Sequence, residues 1–107
     1  MRALILAGLL ALTPAVQAED MITYEINLKG ATFDILELKV PAGKPFMIKM
    51  NNQNAAPAEL EAKELDIEKI AAGNSSIVVR VKAQKPGKYL FVDEFQEDVA
   101  KAYVIVE

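Results

Sequence analysis

Two groups of oxygen-bearing side chains stand out for the chemistry their types and spacing allow. The first is Glu59 and Glu61, followed by Glu64, Asp66 and Glu68. The second is Asp93, Glu94 and Gln96, followed by Glu97 and Asp98. Nine of the 15 acids in the 107-residue chain fall in these stretches. Carboxylates with an amide oxygen are hard ligands, suited to magnesium, calcium, manganese or ferrous iron rather than cuprous copper. The candidate metal ligands are therefore Asp93, Glu94, Gln96, Glu59 and Glu61. The chain has no Cys and no His. Thiolate and imidazole ligands, a Cys or His nucleophile, zinc sites of the usual kind and a blue-copper site are thus excluded on chemical grounds. Paired carboxylates also serve as general acid and base. That needs a pocket, for which a domain this small has little room, so no enzymatic role is expected.

The elements around these residues decide which way they point. In "KYLFVDEF", Asp93 shares the parity of Tyr89 and Phe91, so its carboxylate should face the core end of a strand. An ionised carboxylate there needs a cation, a lysine or backbone N–H groups. Two readings stay open for Asp93: a metal ligand, or an Asx-type turn with bonds to Lys101 or a backbone amide. Glu59 and Glu61 have the parity opposite to Leu60 and face solvent. Glu64, Asp66, Glu68, Glu97 and Asp98 read as solvated surface.

Period-two alternation runs through most of the chain. Ile22, Tyr24, Ile26 and Leu28 form one such row, and Phe46, Ile48 and Met50 another, while "TFDILELKVPAGK" reads as a single strand ended by Pro41 and Gly43. Ile77, Val79 and Val81 alternate inward against Arg80 and Lys82, and "QKPGKYLFVDEF" and "KAYVIVE" supply the last two strands. "AELEAKELDIEKIAAG" fits either a short helix or two strands around a turn near Glu64. Strands are the better reading, because a helix would put Leu60 and Glu64 on one face. Turn signals at intervals of about 8–12 residues point to an all-β, antiparallel Greek-key β-sandwich.

The N-terminus, "MRALILAGLLALTPAVQAED", has one Arg, an apolar run from Ala3 to Leu12 and the small-residue end Val16-Gln17-Ala18. This is the layout of a signal peptide over residues 1–18, leaving one small domain over 19–107 and a periplasmic location. Without Arg2 the mature domain has 11 basic and 15 acidic side chains, a net charge of −4. That balance disfavours nucleic acid and anionic membranes as partners.

In order and spacing, "VPAGKPFMIKMNN", "APAELEAKEL", "KPGKYLFVDEF" and the closing "AYVIV" resemble the cupredoxin fold. More closely they resemble the EfeO-type cupredoxin-like domains associated with bacterial iron permease systems. The resemblance implies a metal-binding end between the Asn51–Ala62 and Asp93–Ala100 stretches. There, Ala58 or Glu59 would stand near a first His, Asp93 at a Cys, Gln96 at a second His and Lys101 near a Met. It thus implies a periplasmic accessory protein of iron uptake, holding ferrous or ferric iron through oxygen ligands and passing it to a permease. Type 1 copper is not expected. The alternative expectation is a metal-free interaction domain docking on a membrane or periplasmic partner through its acidic end.

Overall fold

Residues whose side chains alternate between two environments pair into sheets, and the strands here follow that rule. The computed structural model describes residues 21–107; the expected signal peptide lies outside the described residues. Among the described residues there are nine strands: β1 (Thr23–Lys29), β2 (Thr32–Phe33), β3 (Glu37–Val40), β4 (Phe46–Asn52), β5 (Ala58–Ala62), β6 (Ile67–Ala71), β7 (Ser75–Val81), β8 (Gly87–Asp93) and β9 (Lys101–Val106). They form two sheets, one in the order β2-β1-β4-β7 and the other β3-β9-β8-β5-β6. The expected all-β sandwich is therefore the fold. The ambiguous stretch is two strands, β5 and β6, joined by a 3-10 turn over Lys63–Leu65 and by Asp66 in the left-handed region at φ 60°.

The inner rows read from the sequence meet face to face. Ile26 and Leu28 of β1, Ile48 and Met50 of β4, Phe91 of β8 and Val104 of β9 are all at most 1% exposed. Phe33 and Phe91 pack edge to face across the interior, with ring centroids 5.0 Å apart. Burying a side chain such as Phe91 contributes about 1.5–3 kcal/mol, so this row is a main source of stability.

Three local expectations are corrected. The sheets are mixed rather than antiparallel: β1 runs parallel to β4, and β3 parallel to β9. Period-two alternation is the same for either direction, so parity alone does not reveal it. The expected single strand "TFDILELKV" is two. Asp34 accepts hydrogen bonds from the Asn27 backbone N–H and side-chain amide, both at 2.8 Å, which bends the chain after β2 and sends β3 to the other sheet. Ile22 precedes β1 and is 57% exposed, so the inner row of that strand starts at half-buried Tyr24 and is buried from Ile26.

Hydrogen bonds join four connections at one end of the sandwich: the β1–β2 turn at Gly30, the β4–β5 loop, the β6–β7 turn and the β8–β9 loop. The β6–β7 turn fits only because Gly73 lacks a side chain. A Cβ there would lie 1.9 Å from the carbonyl oxygen of Ala55.

Candidate functional site

Two polar or charged side chains are buried among the described residues, Asn52 at 2% and Asp93 at 1% exposure. Both lie at this end of the sandwich, and each is the last inward position of a strand. Asn52 continues the Phe46, Ile48, Met50 row, and Asp93 continues Tyr89 and Phe91. Burying such groups is costly unless their hydrogen bonds are made, and here they are.

Asp93 caps a 3-10 turn over Glu94–Gln96. Its Oδ1 accepts from the backbone N–H of Phe95 at 3.1 Å and of Glu59 at 3.0 Å. Its Oδ2 accepts from Gln96 Nε2 at 2.9 Å. This is the Asx-type, backbone-amide arrangement that the sequence left open; Lys101 is exposed on β9. Gln96 Nε2 also donates to the carbonyl of Gly30 at 3.1 Å. Both of its partners are acceptors, so the amide orientation is unambiguous. Gly30 is held from its other side by Asn54, whose Oδ1 accepts from the Gly30 N–H at 2.7 Å while Nδ2 donates to its carbonyl at 2.9 Å. Asn52 completes the chain of bonds. Its Oδ1 accepts from Asn54 N–H, and its Nδ2 donates to the carbonyls of Ala56, Ala71 and Ala72.

Strand alternation, together with the 3-10 turn over Glu94–Gln96, divides the five candidate ligands between two faces. Asp93 and Gln96 belong to the inner network. Glu59 and Glu61 project, half-buried, from the outer face of the five-stranded sheet, where Glu61 lies directly opposite Glu68 of β6. Glu94 meets Glu61 there. The hydrogen bond with Glu61, then burial, then the negative charges of Glu61 and Glu97 push the Glu94 carboxyl up to about 7, against a smaller opposing pull from Lys63. Glu94 Oε1 is shielded from solvent and has no hydrogen-bond partner. It gains one only when a proton sits between the two carboxyl groups. Glu59 is also pushed up, first by burial and then by the charge of Glu68 and a hydrogen bond with it, followed by Glu61 and Asp93. Beside them Glu61, Lys63, Glu64, Leu90, Val92 and Glu97 line a cavity of about 170 Å³. The two acidic stretches therefore meet on the outer face of the sheet and not over the ends of the loops. Glu64, Asp66, Glu68, Glu97 and Asp98 are exposed.

Among the described residues, no three His, Cys, Asp or Glu side chains are grouped to hold a metal ion. A type 1 copper ion does not fit the residues present. The carboxylate where the resemblance puts the thiolate already accepts three hydrogen bonds, and every nearby donor to a metal would be oxygen. What the end does present is apolar. Phe95 and Val99, on the β8–β9 loop, are 54% and 62% exposed beside the exposed acids Glu97 and Asp98.

Sequence reasoning missed Asn52, Asn54 and Gly30. The parity of Phe46, Ile48 and Met50 already marked Asn52 as inward-facing, whereas the roles of Gly30 and Asn54 depend on loops meeting in space.

Comparison with known proteins gives a consistent picture of the fold. The cupredoxin-like domain family matches residues 2–106. An uncharacterised protein of Rickettsia prowazekii (strain Madrid E), RP394, is 27% identical over 88 residues, covering 82% of this chain and 70% of that protein. Auracyanin A, a blue copper protein of Chloroflexus aurantiacus, superposes with a TM-score of 0.70 at 20% identity, over 82% of this chain and all of that one. The metal-binding domain of the Cu(I)-exporting P-type ATPase CopA of Streptococcus pneumoniae D39 gives a TM-score of 0.73 at 17% identity, covering 85% of this chain and 91% of that one.

Proposed function

The chain belongs to the cupredoxin-like domain family, and within that family we propose that it is an exported, non-enzymatic accessory module that docks on a membrane or periplasmic partner through its acidic loop end. The observation that carries this reading is the pairing of exposed Phe95 and Val99 with a rim of carboxylates on a loop anchored at its root by Asp93. Apolar side chains held in a fixed position lose little entropy on docking, and a rim of one charge sign selects its complement. The partner surface that fits is an apolar hollow edged by Lys or Arg. The resemblance to EfeO-type domains makes a bacterial iron permease the first partner to test. The pneumococcal domain of similar fold belongs to a Cu(I)-exporting ATPase, which supports placing such a module beside a membrane transporter.

One observation favours a second reading, in which the outer face of the five-stranded sheet, beside that end, relays ferrous or ferric iron. The unpartnered Glu94 Oε1 beside Glu61 offers oxygen to a cation, with Glu59 nearby. Asp93 and Gln96 contribute less to that reading, because their polar atoms already bond within the protein.

Photo-crosslinking from position 101 of the mature domain, exposed beside the loop, in membranes carrying the candidate permease, tests the docking reading. Capture should be lost in Phe95→Ser and in the double variant Glu97→Lys, Asp98→Lys, with each variant's stability within about 0.5 kcal/mol of wild type, as for exposed positions generally. Capture unchanged by these substitutions would overturn the docking reading. Saturable ferrous binding that is lost in Glu61→Gln and Glu94→Gln would establish the relay instead.

A further inference from the structure

We infer that the Asp93 carboxylate does at this end of the sandwich the mechanical work that a metal ion would do there, so that the loops are tied permanently and without metal. A bound metal joins side chains from separate loops through one atom. Asp93 likewise gathers three donors from two segments: the amide of Glu59 at the start of β5, and the amide of Phe95 and side chain of Gln96 in the β8–β9 loop. Gln96 passes the tie to Gly30 in the other sheet, and Asn54 and Asn52 carry it on to the β6–β7 turn. The network therefore crosses both sheets and all four connections.

The chemistry explains why a carboxylate suits this place. Its two oxygens have room for about four hydrogen bonds, and backbone N–H donors stabilise its charge without a counter-ion. Buried groups that are fully bonded make a rigid arrangement, whereas a metal-bound loop depends on the supply and oxidation state of its ion. The Phe95–Val99 loop is consequently preassembled, and its order is indifferent to chelators and to redox conditions. This inference concerns the free domain and stands apart from the docking reading.

Amide hydrogen exchange on the mature domain tests it, in wild type, Asp93→Asn and the milder Gln96→Ala. In wild type, the Glu59, Phe95 and Gly30 amides should exchange at the same rates with EDTA and with added ferrous iron or cuprous copper. In Asp93→Asn, Oδ1 still accepts from both amides, but without the charge those bonds weaken and Nδ2 meets Gln96 Nε2 donor to donor, so the Glu59 and Phe95 amides should exchange faster by about tenfold. In Gln96→Ala the increase should fall on Gly30 and its neighbours, with β9 protection kept in both variants. Slower exchange of these amides in wild type on adding metal would overturn the inference. Unchanged exchange in both variants would overturn it as well.

Discussion

Asp93 and Glu94 are sequence neighbours with opposite electrostatic circumstances, because the chain turns between them. Asp93 faces inward and is matched by three donors, so truncating it to Ala strands two backbone amides and a side-chain amide in a buried site. At about 1–3 kcal/mol for each stranded group, partly relieved by relaxation, Asp93→Ala should cost about 3 kcal/mol or more. Urea denaturation would read this as a lower midpoint. A loss below about 1 kcal/mol would mean that water reaches these groups and that the tie is weak. Glu94 faces carboxylates instead, and its folded pKa of about 7 stands above the ordinary 4.5. The folded domain therefore holds a proton that the unfolded chain has released between those two values. Stability from this group is fully present below about pH 4.5 and is lost as the pH rises through about 7. Glu94→Gln should thus raise the melting temperature at pH 8 and change it little at pH 5. Equal effects at both pH values would show that the Glu61–Glu94 pair shares no proton.

The loops fit together at this end only because the element between β6 and β7 comes very close to its neighbour. With Ala55 O where a Gly73 Cβ would stand, Gly73→Ala must push the β6–β7 turn or the β4–β5 loop aside. Overpacking of that kind costs about 1–3 kcal/mol. It should show as a lower denaturation midpoint together with faster exchange at Asn74, whose amide bonds to the Asn54 carbonyl at 2.8 Å. A midpoint equal to wild type would mean that the loop yields freely. At the same scale, strand existence was legible in the alternation, and so was the inward direction of Asp93. Strand direction and the break between β2 and β3 were not legible. Residue parity carries no sign of parallel pairing, and the break depends on Asp34 meeting Asn27 across a turn. The division of the candidate ligands was partly legible. Glu59 and Glu61 face away from Leu60 and Glu94 has the outward parity of Val92, whereas Gln96, of that same parity, turns inward to Asp93 only because the chain bends at the cap.

At the scale of the whole molecule, a fold shared with copper proteins holds its loop end together with amides and one carboxylate. The sequence announced the absent thiolate and imidazole, and the structure supplies what stands in their place. The result is a small domain whose loop end is tied by hydrogen bonds and tipped by exposed Phe95 and Val99 beside Glu97 and Asp98. The most direct test of that account is calorimetric titration of the chelator-treated mature domain, without a His tag and under anaerobic conditions, with ferrous iron, manganese and cuprous copper. No saturable one-to-one binding of any of the three is expected. Saturable binding of ferrous iron, abolished by Asp93→Asn, would contradict it and make Asp93 a ligand rather than a tie.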